Sequence, residues 1–244
     1  MNKSIIYYTN NKLPKPIFYL VQQELKKAGL PIISSSREQI NFGENEVIKG
    51  EDGYHTMVEQ IISCLERAKT KYVFFCEHDV LYPKAHFDFV PTKDNVFYYD
   101  ENAWRWKYGS DIAIRHDRMI SLSSLCVNRE YALNHYKLRQ KSILSLPDGT
   151  KKTGEPDWAR KMGYEPGTKK KRRGGITDDD YETWYSSAPM IDIRHKVNFS
   201  SPKVSLKDFK HQPKWWREKK IDDITEWDLR KMFNIATERT NSVS

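Results

Sequence analysis

The first 80 residues alternate short apolar runs with segments of helical periodicity, and this alternation limits the folds open to the chain. Residues 4–9, 30–34 and 72–76 are apolar runs that predict three strands. Between them, two segments carry apolar residues at helical spacing, namely Ile17, Leu20, Val21, Leu25 and Ala28, then Val58, Ile61, Ile62, Leu65 and Ala68. Alternating strands and helices predict an α/β fold with a mostly parallel, Rossmann-type sheet flanked by helices.

The pattern changes after residue 80. Residues 96–99, 120–127 and 190–195 predict further strands, and Asn128 is expected to cap a helix that runs to about residue 144. A last helix is expected over residues 224–236, and the polar residues 41–53 predict a loop. We therefore expect one domain, with an α/β core over 1–144 and a less regular, basic part over 145–244.

Two carboxylates follow the third predicted strand directly, in the triplet Glu77-His78-Asp79. In open α/β sheets, ligands bind just beyond the carboxyl ends of the strands. Carboxylates at that point can hold a divalent cation that in turn holds phosphates. A charged turn is the alternative interpretation. His78 is expected to pack away from the carboxylates if the backbone stays extended.

The order of elements over about residues 4–130, together with this D-x-D-like triplet, resembles the GT-A fold of nucleotide-sugar glycosyltransferases. The resemblance implies that Glu77 contacts the sugar-nucleotide and that Asp79 binds Mn²⁺ or Mg²⁺. By the chemistry of the pair alone, Glu77 or Asp79 can ligate the ion directly while the other acts through water. It also implies a late histidine as a further ligand, for which His195 is the first candidate and His211 the second. Glu77 departs from the motif's first Asp, which lengthens the side chain and keeps the charge.

The same resemblance implies a nucleotide-sugar donor, in the first instance a UDP-sugar. Its base would lie against the loop after the first strand, where Thr9, Asn10 and Asn11 can hydrogen-bond a pyrimidine edge. Simple turn chemistry explains the Asn-Asn pair equally well. Arg194 and Lys196, beside His195, can hold the diphosphate.

An inverting transferase also needs a carboxylate base that takes the proton of the acceptor hydroxyl. Glu155 and Asp157 are the first candidates, because Pro156 makes their backbone rigid and Trp158 offers a stacking platform. The three Asp residues at 178–180 are the alternatives. A retaining enzyme needs no such base, and the sequence leaves the stereochemistry open.

The formal net charge of +8 favours acidic partners. Basic loops can track a phosphate backbone, and neighbouring Trp rings can stack on bases, although a basic run can also be a merely solvated surface. We predict nucleic-acid contacts from two segments, which are Lys169, Lys170, Lys171, Arg172 and Arg173, and then Lys214, Trp215, Trp216 and Arg217.

In these features the chain is similar to the small phage-type glycosyltransferases that modify hydroxymethylated pyrimidines in DNA. That resemblance implies a 5-hydroxymethylcytosine acceptor, flipped out of the stack. The alternatives are a transferase acting on a surface glycan or protein, a metal-dependent nuclease or nucleotidyltransferase, and a non-enzymatic nucleic-acid-binding protein. The last alternative leaves the carboxylates unexplained, because they repel phosphate unless a cation is present.

The cysteine pattern and the hydropathy give two further expectations. Cys64, Cys76 and Cys126 lie in apolar contexts at unrelated spacings, which predicts buried, reduced thiols and neither a disulfide nor a zinc site. No long apolar segment occurs, so we expect no membrane insertion and a cytoplasmic location, in the host cell if a phage encodes the chain.

Overall fold

Two sheets, one of seven strands and one of five, organise the described residues. The computed structural model describes residues 2–145, 165–168, 181–196, 203–211 and 213–235. In chain order the elements are β1 (Lys3–Thr9), α1 (Lys15–Lys26), β2 (Ile32–Ser36), β3 (Glu44–Val47), α2 (Tyr54–Arg67), β4 (Tyr72–Glu77), β5 (Val80–Leu81), α3 (Lys84–Phe87), β6 (Phe97–Asp100), β7 (Ala103–Lys107), β8 (Ile112–His116), β9 (Leu125–Asn128), α4 (Arg129–Leu144), β10 (Tyr181–Trp184), β11 (Met190–Arg194), β12 (Trp216–Lys220) and α5 (Leu229–Phe233).

The seven-stranded sheet has the order β10-β6-β9-β4-β1-β2-β3. Strands β3, β2, β1 and β4 are parallel to one another, and β10 is parallel to β6. Strand β9 runs antiparallel to both of its neighbours, β4 and β6. The predicted α/β class with a central sheet flanked by helices is confirmed, and β9 is the strand that departs from the parallel order.

A topological switch point lies between β1 and β4. From β1 the chain moves outward to β2 and β3 and then crosses back to β4 on the other side of β1. At such a point the connections leave the two strand ends in opposite directions, which opens a crevice beyond the carboxyl ends of the strands. The residues that follow those ends are Asn10 after β1 and His78 after β4.

The core lies on both faces of this sheet, because side chains alternate along a buried strand. In β1, Ile5 and Tyr7 belong to the apolar cluster that contains the buried face of α1, and that cluster continues into the second sheet. Ile6 and Tyr8 belong to a second cluster with α2 and α4. The three cysteines are free and buried, as predicted.

The five-stranded sheet, with the order β12-β8-β7-β11-β5, is a feature that the sequence did not predict. Three local predictions also needed correction. The predicted loop at 41–53 contains β3, and the first half of the predicted strand at 120–127 is a 3-10 helix at Leu122–Ser124. The last predicted helix begins only at Leu229, because the Asp228 side chain caps it by accepting a hydrogen bond from the Lys231 N–H.

Within the described ranges, no helix combines the length and the apolar character needed to cross a bilayer.

The N-terminal cap of α4 allows a test of the stabilising role predicted for Asn128. The Asn128 side chain accepts hydrogen bonds from the N–H groups of Glu130 and Tyr131. We expect Asn128→Ala to lower the free energy of unfolding by about 1 kcal/mol, because two helix-terminal donors lose their partner. Urea unfolding measures this change. Asn134→Ala, an exposed substitution inside the same helix, is the control and should leave the stability unchanged or slightly raised.

Candidate functional site

A cleft of about 410 Å³ lies at the carboxyl ends of β1 and β4. Its walls come from the end of β1, from α2, from the turn after β4, from α4 and from β11. The volume falls in the range of small-molecule and cofactor sites. The cleft therefore occupies the position that the strand order predicts for a ligand.

The pairing of β11 with β5 brings His195 to the acidic triplet. These strands are antiparallel, with Asp192 opposite Val80, and the Ile193 N–H donates to the Asp79 carbonyl over 2.8 Å. The chain continues from β11 into His195, whose Nε2 lies 3.3 Å from Oδ2 of Asp79. Two side chains that are 116 residues apart in sequence are thus in contact.

His78 also belongs to this site. Strand β4 ends at Glu77, and His78 and Asp79 form a turn before β5. The backbone does not stay extended, so the condition under which His78 would point away from the acidic residues is not met. Its Nδ1 lies 2.6 Å from Oγ1 of Thr9, and its ring centroid lies 6.5 Å from that of His195.

His78, Asp79 and His195 form a group that fits a metal ion. Each offers a ligand atom, and these atoms all lie within 4.8 Å of one another. Burial lowers the pKa of His78, which keeps the imidazole neutral and able to ligate. Burial alone would raise the pKa of Asp79, but the hydrogen bond to His195 and nearby positive charge lower it overall. Two imidazoles and one carboxylate suit a divalent transition metal.

Glu77 lines the cleft but is not a member of this group. Its Oε1 accepts a hydrogen bond of 3.0 Å from the Tyr8 hydroxyl. Burial, and to a lesser degree the charge of Asp79, raise the pKa of Glu77 to about 8. Glu77 was predicted to be a metal ligand, but His78, for which no ligand role was predicted, belongs to the metal group in its place.

A charged cluster, of which only one member was predicted from the sequence, also lines the cleft. The carboxylate of Asp192 accepts hydrogen bonds from Arg194 over 3.1 Å and from Arg105 over 3.5 Å. All three residues line the cleft, and burial raises the pKa of Asp192. Arg194 was predicted here, whereas Lys196 is exposed and does not line the cleft.

The predicted base-binding residues, which lie in the loop after β1, differ in whether they reach the cleft. Thr9 and Asn10 line the cleft, and Asn11 does not. Asn11 has φ +63°, and its Oδ1 accepts hydrogen bonds from two backbone N–H groups at 37–38, so it fixes the loop. Arg37 and Asp52 form an ion pair of 2.5 Å on this side of the cleft.

A further carboxylate reaches the cleft from the segment 165–168. Glu165 lines the cleft close to Arg139 of α4, and the Tyr99 hydroxyl anchors the segment by donating to the Pro166 carbonyl over 2.6 Å. Glu165 was not among the residues predicted from the sequence. The predicted bases Glu155 and Asp157, their alternatives at 178–180, and the basic run 169–173 lie outside the described residues.

The second basic-aromatic segment, Lys214 to Arg217, is adjacent to the cleft but does not line it. It spans the start of β12, and the Trp216 ring centroid lies 5.8 Å from the guanidinium carbon of Arg105, which does line the cleft. His211, the second candidate ligand, is exposed and is not part of the metal group.

The chain matches no protein-family model and no curated protein sequence. Among solved structures, a glycosyltransferase involved in glycosylation of the major capsid of PBCV-1 is 13% identical at a TM-score of 0.40, over 60% of this chain and 69% of that one. The glycosyltransferase GlyE of Streptococcus pneumoniae TIGR4 is 8% identical at a TM-score of 0.44, over 75% and 45%.

The bifunctional IspDF of Campylobacter jejuni is 11% identical at a TM-score of 0.37, over 61% of this chain and 46% of that one. This chain thus spans less than half the length of IspDF. Two of these three structures are glycosyltransferases. Because the TM-scores and identities are low, these similarities carry no argument about the function of this chain.

If His78, Asp79 and His195 bind a divalent ion, that ion stabilises the folded protein against thermal unfolding. We expect Mn²⁺ to raise the midpoint of thermal unfolding, since an ion at 100 times its Kd stabilises the folded state by about 2.7 kcal/mol. His195→Ala should weaken Mn²⁺ binding at least about 100-fold, because even the loss of an outer-shell partner costs 10–100-fold. Differential scanning fluorimetry with titrated Mn²⁺ measures both effects.

His211→Ala is the matched control for that substitution and should respond to Mn²⁺ like the unmodified protein. Equal Mn²⁺ responses of the two variants would show that His195 is not a ligand.

Proposed function

We propose that this protein is a metal-dependent glycosyltransferase that moves a sugar from a nucleotide-sugar, in the first instance a UDP-sugar, to a hydroxyl acceptor. The observation that carries the proposal is the convergence of His78, Asp79 and His195 beside a cleft at the switch point of an α/β sheet. A nucleoside diphosphate is a leaving group that needs charge neutralisation, and the site offers the means for it in the place where α/β folds bind ligands.

The metal is held in this proposal by His78, Asp79 and His195. The bound ion would supply Lewis-acid chemistry, which neutralises negative charge on a diphosphate leaving group. Imidazole nitrogens suit transition metals better than they suit Mg²⁺, which prefers oxygen ligands. Of the two predicted ions, Mn²⁺ therefore fits the two-histidine group better. Glu77 is left to contact the sugar-nucleotide, which is the role that the family resemblance gave it.

The remaining cleft residues bind and orient the donor. Arg194 and Arg105 line the same cleft as the metal group, and guanidinium groups bind phosphate oxygens in pairs of hydrogen bonds. Asp192, between them, holds both in position. Thr9 and Asn10, at the end of β1, offer hydrogen-bonding groups for the base. The donor thus lies with its diphosphate at the carboxyl end of β4 and its base beyond β1.

For the acceptor we propose a 5-hydroxymethylcytosine base in DNA. The hydroxymethyl oxygen would attack the anomeric carbon while the bond from that carbon to the diphosphate oxygen breaks. In an inverting reaction a carboxylate takes the hydroxyl proton. Asp157 and Glu155 keep that predicted role, and Glu165, which lines the cleft, joins them as a candidate. The net charge of +8 and the basic-aromatic residues 214–217 support an anionic acceptor.

The donor half of the proposal predicts metal-dependent binding. Calorimetry should show that a UDP-sugar binds in the presence of Mn²⁺ and loses that binding when EDTA is added. Asp79→Asn should abolish the metal-dependent part, because the substitution removes the charged ligand of the group. The circular dichroism spectrum should stay unchanged.

Asp223→Asn, at an exposed carboxylate outside the cleft, is the matched control and should bind the donor normally. Donor binding of equal strength with and without metal would contradict the role given to Asp79.

The acceptor half predicts a mass increase on modified DNA. Duplex and single-stranded oligonucleotides that contain 5-hydroxymethylcytosine should gain one hexose or pentose in mass spectrometry when incubated with Mn²⁺ and a panel of nucleotide-sugars. Cytosine oligonucleotides should gain nothing, because they lack the hydroxyl. Sugar transfer to a glycan or a protein, but not to DNA, would contradict the proposed acceptor and leave the proposed donor site unchanged. Cleavage of the DNA strand would indicate a nuclease.

A further inference from the structure

We propose that a surface beside β8 and β12 of the five-stranded sheet binds single-stranded nucleic acid by base stacking and phosphate contact. It is formed by Arg115, Arg118, Trp215 and Arg217, together with Tyr185, which follows β10 and contacts Arg115. We call these five residues the stacking edge. That the bound strand is also the acceptor rests on the proposed function, whereas the binding itself does not require a sugar donor.

Two large aromatic rings of the stacking edge are open to solvent. Trp215 is 55% exposed and Tyr185 is 57% exposed, although rings of this size usually bury most of their surface. The guanidinium carbon of Arg118 lies 4.8 Å from the Trp215 ring centroid, and that of Arg115 lies 5.4 Å from the Tyr185 ring centroid. Each exposed ring is therefore held by an arginine and still has surface on which a base can stack.

The backbone holds Trp215 in an unfavourable conformation. Its φ of +70° lies in the left-handed region, which bulky residues rarely adopt. The Trp215 carbonyl accepts a hydrogen bond of 2.9 Å from the Asp117 N–H, and the next residue, Trp216, pairs with His116 across β12 and β8. Strain of this kind persists where the surroundings fix it, and it is concentrated at functional sites.

The charge of the stacking edge suits phosphates. Arg115 and Arg217 share the carboxylate of Asp117, at 3.1 and 3.0 Å. Arg118 forms no direct ion pair with another described residue, but the Glu101 carboxylate interacts electrostatically with both Arg118 and Arg115. Three guanidinium groups thus face two carboxylates, those of Asp117 and Glu101, which leaves one excess positive charge beside two exposed rings. Proteins that bind single strands combine these two features, and a duplex would hide the base faces.

The stacking edge is connected to the cleft. Residue 119 follows Arg118 directly, and the Met119 sulfur lies 3.2 Å from Nη2 of Arg105, which lines the cleft. Ser121 and Ser123, a few residues further along, also line the cleft. The stacking edge and the cleft are therefore joined by adjacent residues, along which we infer that a bound strand extends one base into the cleft.

Fluorescence anisotropy with a labelled twelve-nucleotide oligo-dT tests the proposal without any donor. We expect the single strand to bind more tightly than a duplex of the same length, with an affinity that falls as salt rises. Trp215→Gly should weaken binding roughly 5- to 150-fold, the effect of losing one stacking ring. Glycine accepts the positive φ without strain, so this variant should fold at least as well as the unmodified protein.

Two further variants separate stacking from structure. Trp215→Phe keeps an aromatic ring and should retain most of the affinity, and Tyr19→Ala removes a ring of similar exposure, 56%, from α1 and should change nothing. The proposal is overturned if the protein fails to bind the single strand, if the duplex binds as tightly, or if Trp215→Gly binds like Tyr19→Ala. Binding of a neutral oligosaccharide in place of the oligonucleotide would reassign the rings to carbohydrate. Intact DNA binding without any sugar transfer would leave the stacking edge standing and contradict only the proposed enzyme function.

Discussion

The antiparallel pairing of β11 with β5 is the interaction on which the candidate site depends. Its central contact is the hydrogen bond from the Ile193 N–H to the Asp79 carbonyl. This bond fixes the turn after β4 and places the end of β11 beside it, so that His195 meets Asp79. The same strand presents Asp192 and Arg194 to the cleft. The seven-stranded sheet supplies the crevice, and the five-stranded sheet contributes Arg105, Asp192 and Arg194 to its wall.

The buried charged side chains of the cleft explain which ligands it favours. Asp79 keeps a lowered pKa through His195 and nearby positive charge, whereas Glu77 has its pKa raised to about 8 by burial first and by Asp79 second. Asp192 lies between two arginines. A cleft that gathers several carboxylates with imidazole and guanidinium groups is well suited to hold a cation together with the diphosphate that the cation binds.

The sequence predicted the elements whose signal is local. Strands β1, β2 and β4 and helices α1, α2 and α4 follow from apolar periodicity and from the Asn128 cap, and the triplet at 77–79 lies at a strand end as expected. The five-stranded sheet was missed because β7 and β12 mix Trp with Arg and Lys, and because the pairings of β7 with β11, of β8 with β12 and of β11 with β5 are long-range. For the same reason Arg105 and Asp192 were not selected, since only the parallel register of β7 and β11 brings them together. The turn at His78 replaced the extended backbone on which its predicted orientation depended.

The central claim is that His78, Asp79 and His195 hold one divalent ion next to the diphosphate of a nucleotide. Anomalous diffraction at the manganese edge, from crystals grown with Mn²⁺ and UDP, tests it most directly. The account predicts a single anomalous peak within bonding distance of all three side chains and of a diphosphate oxygen. A peak coordinated by other residues, or none in this cleft, would contradict it.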